Sequence, residues 1–208
     1  MSCAAPRLGR DFFARGTVAV ARALLGQHLV RVEPCDRRTV GRVVETEAYL
    51  GPEDRAAHTF NYRKTERTAA MWMAPGTAYV FLTYGMHHCL NVSTVSADVP
   101  QAVLLRALEP VEGMAQMHAR RPKSKRLTDL CSGPAKLTQA LDIDRGFDRA
   151  DLTTCPTLFF ERARKRGYPE SQIAATPRVG VDYAGDWAAR PLRFCLRGSP
   201  HVSRPWPD

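Results

Sequence analysis

The run Val43-Val44-Glu45-Thr46-Glu47-Ala48-Tyr49-Leu50-Gly51-Pro52 sets two carboxylates two residues apart in what otherwise reads as a buried strand. Side chains alternate faces along a regular strand. Val43, Glu45, Glu47 and Tyr49 then share one side and Val44, Thr46 and Ala48 the other, unless a bulge separates the glutamates. An ionised carboxylate taken out of water is costly unless it is compensated. Arg106, inside the apolar run Ala102–Leu108, is the internal counter-charge. Such a pair can take a proton from water or stabilise a developing cation, and it serves equally well as a purely structural ion pair. Glutamates on a solvated edge strand are the other alternative. The flanking valines, Tyr49 and the Gly51-Pro52 turn argue that this strand runs into the body of the fold.

A second candidate is the turn Tyr84-Gly85-Met86, between two runs rich in β-formers. Hairpin tips usually carry Asn, Asp or Ser. A large ring there either folds back on its own sheet or enters a partner, as wedges do that part the base steps of a duplex. Tyr49, His58, Tyr79, Phe81 and Asn91 lie near both elements and suit a pocket of nucleobase size, with ring faces to stack on and polar groups to read an edge. Taken singly, each is also ordinary core packing, and His58 reads equally as a histidine late in a helix.

Thirty Lys plus Arg against 21 Asp plus Glu give 208 residues a net charge of +9. That excess points to a polyanionic partner, a nucleic acid or an anionic surface, where it does not serve solubility alone. The basic loop Arg120-Arg121-Pro122-Lys123-Ser124-Lys125-Arg126, with Arg162, Arg164, Lys165 and Arg166, supplies candidate phosphate contacts or simply a solvated face. No stretch approaches the ~20 apolar residues of a membrane span, and the N-terminal residues lack the pattern of a secretory signal. The expected location is cytoplasmic, on the nucleoid in a bacterium. Six dispersed cysteines without a C-x-x-C pair favour free thiols. His87-His88-Cys89 alternate faces and do not converge on a metal. Phosphate cradles, dinucleotide fingerprints and Ser-His-Asp patterns are absent, so neither metal nor cofactor is expected.

These residues need elements to position them. Thr17 caps a predicted helix over 18–25, stopped by Gly26. Strands are predicted over 28–32 and 40–49, a short helix over 65–73, a hairpin over 77–83 and 87–94, and a further strand over 102–108. Pro110 suits the first turn of a helix to about His118, and Gly133-Pro134 opens another through Leu141. Short strands over 157–161, 178–181 and 192–196 complete the chain. Residues 1–7 are expected to be a flexible leader before one domain over 8–208. Neighbouring strands outnumber helices, so the expected class is α+β: a single compact domain, with a curved antiparallel sheet, surrounding helices and a protruding hairpin.

At this point the residues resemble a family, the alkyladenine (3-methyladenine, or methylpurine) DNA glycosylases of mammals and many bacteria. The matching stretches are residues 45–54 with Ala56-Ala57-His58, Met71 through Gly76, Tyr84-Gly85-Met86 with Asn91, and Leu104 through Pro110. Cys131 through Leu137, Arg178-Val179-Gly180-Val181 and Pro191-Leu192-Arg193-Phe194 match as well. Similarity runs in the same order from about Leu8 to Ser203. The resemblance implies a monofunctional enzyme that flips a damaged purine out of duplex DNA and hydrolyses its glycosidic bond. It implies Glu47 as general base, with Arg106 helping to position the water, and Tyr84 as the intercalating residue with Met86 beside it. Tyr49, His58 and Phe81 would sandwich the base, and Asn91 would exclude the exocyclic amine of guanine. Phe81 stands where the family often has Tyr, which keeps stacking and loses a phenol hydrogen bond. His87 stands where the mammalian enzymes have Tyr.

The expected partner is therefore double-stranded DNA carrying a damaged purine of the 3-methyladenine, hypoxanthine or ethenoadenine type, bound by a monomer away from any membrane. Two readings of other classes remain: a damage-sensing DNA-binding protein without turnover, and an RNA-associated basic domain whose glutamates are structural. Binding and base release on lesion-bearing duplex DNA, against double-stranded RNA, separates all three.

Overall fold

The computed structural model describes residues 5–204. Eight strands form one antiparallel sheet: β1 (His28–Val32), β2 (Arg38–Tyr49), β3 (Ala78–Thr83), β4 (His87–Ser93), β5 (Ala102–Glu112), β6 (Leu158–Glu161), β7 (Ile173–Thr176) and β8 (Arg193–Leu196). The spatial order is β3-β4-β5-β2-β1-β6, and β8 joins β2 beyond the end of β1, carrying β7 on its outer side. Helices α1 (Arg10–Phe13), α2 (Thr17–Leu24), α3 (Met114–Arg120) and α4 (Pro134–Ala140) and several 3-10 turns surround it. The expected α+β class, antiparallel sheet and hairpin between β3 and β4 are all present.

The 12-residue β2 is the central strand, paired with β5 along one side and with β1 and β8 along the other. Glu45 and Glu47 therefore lie in the middle of the sheet, which removes the edge-strand alternative. Thr46 is buried and its hydroxyl donates to the Ala21 carbonyl of α2 at 2.9 Å. That bond turns Val44, Thr46 and Ala48 toward the helix layer and Glu45, Glu47 and Tyr49 away from it; the bulge at Val44 puts Val43 in the same buried cluster as Val44, off the face expected for it. Val44 in β2 and Arg106 in β5 are both passed over by the pairing register, so irregularities flank Glu45 on both strands. Beneath the sheet, Leu24, Val44, Leu105, Leu108, Leu137 and Phe160 belong to one buried cluster. Each contributes ~1.5–3 kcal/mol of apolar burial.

Several expected elements are corrected. Pro110 does not open a helix. It lies in β5 opposite Gly41, where the register slips and a missing N–H is tolerated. The helix starts at Met114, after Gly113 turns the chain with φ +77°. Residues 178–181 are loop, and the strand before β8 is Ile173–Thr176. Residues 65–73 hold a 3-10 helix, Glu66–Trp72, capped by Thr65. Thr17 starts α2, but its hydroxyl bonds Thr94 and Gln101 instead of capping the helix. Of the expected leader, residues 1–4 lie outside the described residues. The Arg162 N–H donates to the Pro6 carbonyl, and Arg7 bridges to Glu161.

A Cβ on Gly113 would sit 2.5 Å from the Arg38 carbonyl oxygen. Gly113→Ala combines that clash with a left-handed conformation and is expected to cost at least ~2 kcal/mol of stability, measured by urea unfolding.

Candidate active site

Glu45 and Glu47 have no exposed surface, and one guanidinium serves both. Arg106 Nε donates to Glu45 Oε1 at 3.0 Å, and its Nη1 lies 3.3 Å from Glu47 Oε1. Arg193, on β8, donates from Nε to Glu45 Oε1 at 2.7 Å. Two carboxylates and two guanidiniums thus form a buried group without net charge. Burial alone would depress the Arg106 pKa; Glu47 and Glu45 outweigh it, so the guanidinium is held above its ordinary value.

Glu47 is gripped from two further directions. The Tyr49 hydroxyl donates to Oε2 at 2.8 Å, and the Val179 backbone N–H donates to Oε1 at 2.8 Å. Burial, and next the Glu47 charge, push the Tyr49 phenol well above its usual pKa, which keeps it a donor. Val179 is delivered by a latch. Arg178 makes a bidentate pair with Asp54, at 2.5 and 2.8 Å, and neither side chain has exposed surface. Arg178 also donates to the Ala48 carbonyl, and its guanidinium lies 4.7 Å from the Tyr49 ring centroid. Asp54 in turn accepts the Leu50 and Ala56 N–H groups. The turn after β2 and the loop before β8 are thereby locked together over the catalytic candidate.

Above this floor opens a cavity of about 550 Å³, within the size range of ligand sites. Tyr49, His58, Tyr79, Phe81, Asn91 and Arg106 all line it, so the expected pocket residues do converge. Phe81 packs edge-on to His58 at 4.7 Å between centroids and against Tyr79 at 5.2 Å. Asn91, opposite Tyr79 in the hairpin, donates to its carbonyl at 3.1 Å. His58 follows a series of tight turns instead of ending a helix, and its Nδ1 is 2.8 Å from the Tyr79 hydroxyl. Burial, then the charges of Arg67 and Arg63, lower the His58 pKa to about 4.

Tyr84 is 90% exposed at the rim of the cavity. It occupies the first corner of the hairpin turn with φ +50°, followed by Gly85 at +69°, the backbone of a type I′ turn. A tyrosine in that region costs ~1–2 kcal/mol. Met86 is also exposed, but it borders a separate hollow with His87 and His88 and does not line the cavity.

The basic loop divides. Arg120 pairs with Glu33, and Arg126 pairs with Asp129. Lys123 and Lys125 line an open hollow with Arg121 and Lys136. Four contributors were given no role by the sequence: Arg193 and the Arg178–Asp54 latch, although these lie in stretches that resemble the family, Ser203, and Arg67, which lies 5.0 Å from the Phe81 ring centroid. Among the described residues no helix is long and apolar enough to cross a membrane, and no cluster of His, Cys, Asp or Glu is placed to hold a metal.

A shielded carboxylate with a guanidinium, set under aromatic walls, has the chemistry to activate water against a carbon bearing a flat heterocycle. That arrangement suits hydrolysis with a planar leaving group. Residues 11–200 match the family described as methylpurine-DNA glycosylase (MPG), and the chain belongs to that family. It is 47% identical over 205 residues to the DNA-3-methyladenine glycosylase of Mus musculus, covering 95% of this chain and 61% of that one. Identity to the Homo sapiens protein of the same name is 48%, covering 95% and 68%. A Methanocella arvoryzae relative is 46% identical, with 96% of each chain covered. The chain thus spans about three fifths to two thirds of the mammalian relatives and nearly all of the archaeal one.

Because the folded-state pKa of His58 is lowered, the unfolded chain binds its proton first as pH falls. Its contribution to stability is present above about pH 6.5 and is lost progressively toward pH 4. His58→Phe is expected to flatten that part of the stability–pH curve, followed by thermal unfolding between pH 4 and 8.

Proposed function

We propose that this protein is a monofunctional DNA glycosylase that flips alkylated and deaminated purines from duplex DNA and hydrolyses the bond to C1′. The observation that carries the reading is the placement of Glu47, in a neutral buried group with Arg106, under an aromatic cavity whose rim bears Tyr84. The printed names of the mouse and human relatives support the 3-methyladenine class of substrate.

In this reading the cavity takes the extruded purine, and Tyr84 fills the gap left in the stack, which offsets part of the cost of unstacking. The energetic cost of placing a tyrosine in a left-handed turn position is consistent with a ring kept for a partner, since so exposed a side chain adds little to the fold. Breaking the glycosidic bond develops oxocarbenium character on the sugar, as in glycoside hydrolysis. Glu47 stabilises that charge and takes a proton from the attacking water. Its Oε1 is engaged by Val179 and Arg106; Oε2, among the described residues, accepts only the Tyr49 hydroxyl, which leaves it a lone pair to accept from a water admitted with the substrate. Cationic bases such as 3-methyladenine gain ~0.5–2 kcal/mol from the ring faces. A neutral lesion such as hypoxanthine relies on hydrogen bonds at its edge. A neutral His58, taking the Tyr79 proton at Nδ1, keeps an Nε2–H to donate. Asn91, which lines the cavity, would obstruct the exocyclic amine of guanine in this reading.

Incubation with duplexes containing hypoxanthine or ethenoadenine is expected to release base and leave alkali-labile abasic sites. Glu47→Gln is expected to lower single-turnover release at least ~10³-fold while lesion binding stays within a few-fold. Release at the wild-type rate by Glu47→Gln would remove Glu47 as the base.

A further inference from the structure

We propose that Glu45 and Ser203 are positioning residues, which hold the Arg106 guanidinium so that its Nη1 faces Glu47. The chain from Arg197 to Arg204 then belongs to the catalytic apparatus. This inference rests on the reading of Glu47 and Arg106 given above.

Each nitrogen of the Arg106 guanidinium has a different neighbour. Nε donates to Glu45 at 3.0 Å, Nη2 donates to the Ser203 hydroxyl oxygen at 3.3 Å, and Nη1 faces Glu47 at 3.3 Å. The group is planar, so fixing Nε and Nη2 dictates where Nη1 points. The contact to Glu47 is not the shortest of the three. The aim of the guanidinium is therefore set from the other side, by Glu45 and Ser203.

Glu45 is itself over-determined. Oε1 accepts from Arg106, from Arg193 at 2.7 Å and from the Ser203 hydroxyl at 2.8 Å, while Oε2 accepts the Ser203 backbone N–H at 2.5 Å. Ser203 is used twice at its side chain: its one hydroxyl proton goes to Glu45, and a lone pair of the same oxygen takes the Arg106 N–H. Alanine would remove both links and leave only the backbone N–H. Threonine would restore both.

Ser203 reaches this point because the chain after β8 folds back over the face of β2 that carries Glu45. The Arg197 N–H donates to the Gln172 carbonyl, and the His201 N–H donates to the Ser199 hydroxyl. Arg193 bonds the Arg204 carbonyl, which ties the end of the strap to the same buried group. The match to the family ends at residue 200, so the residue that completes the shell lies just outside it. Glu45 has a second effect. With two carboxylates sharing Arg106, the guanidinium does not swing into a close bidentate pair with Glu47, which would occupy the oxygens needed for water.

The test compares Ser203→Ala, Ser203→Thr, Glu45→Gln and Glu47→Gln by single-turnover base release, equilibrium binding to the same lesion duplex, and thermal unfolding. Ser203→Ala is expected to lower the release rate about tenfold, and Glu45→Gln about 10²-fold, with lesion affinity within about twofold. Ser203→Thr is expected to restore the wild-type rate. If Glu45→Gln does not fold, the two Ser203 variants decide alone. A wild-type rate for Ser203→Ala, or a Ser203→Thr variant as slow as Ser203→Ala, overturns the positioning role. The first result alongside an inactive Glu47→Gln leaves the glycosylase reading intact; an active Glu47→Gln overturns that reading and this one together.

Discussion

The structure depends on one constraint: two carboxylates without exposed surface must be neutralised where they lie. Glu45 and Glu47 sit on the middle strand of the sheet, paired on both sides and fully buried. Arg106 and Arg193 answer them from the strands on either side, β5 and β8. Removing one member of such a group leaves an uncompensated buried charge, at a cost of ~3–5 kcal/mol. The same balance of formal charges that lets the group be buried sets a carboxylate in a low dielectric, where the effect of a charge on a nearby cation is strongest.

The rest of the molecule holds that group in register. Thr46 anchors the opposite face of β2 to α2, so a one-residue slip, which would send the glutamates into the apolar layer, is opposed by a specific hydrogen bond as well as by packing. The Arg178–Asp54 latch fixes the loop that supplies the Val179 N–H, and it fixes the turn that follows Tyr49. The strap at Ser203 closes the remaining side. The cavity is consequently rigid at its floor and open at its rim, where Tyr84 projects from a hairpin tip with almost no packing of its own. The buried floor and the exposed rim follow from the same sheet.

Much of this was legible in the residues. The alternation of β2 put Glu45, Glu47 and Tyr49 on one face, and the isolated Arg106 in an apolar run announced its partner. The ring at a hairpin tip, where small polar residues are usual, marked Tyr84. What was not legible depended on pairs distant in sequence. Asp54 and Arg178 are 124 positions apart, and Glu45 and Ser203 are 158 apart; nothing local to either member of these pairs names the other. Pro110 misled because its fixed φ suits a first helical turn, whereas here pairing with Gly41 carries the strand past it. Ile173–Thr176 was missed because two of its four residues are alanines. Its conformation comes from pairing with β8, and its own side chains carry little preference for a strand.

On the proposed function, the site favours a positively charged sugar over a neutral one through the Glu47 carboxylate beneath it. The most direct measurement is the affinity for two duplexes that differ at one position: a cationic pyrrolidine in place of the sugar, or a neutral tetrahydrofuran of the same shape. The wild-type protein is expected to bind the cationic analogue at least about tenfold more tightly, and Glu47→Gln to lose that preference. Equal affinity of the wild-type protein for both, at a pH where the pyrrolidine is protonated, would contradict the account.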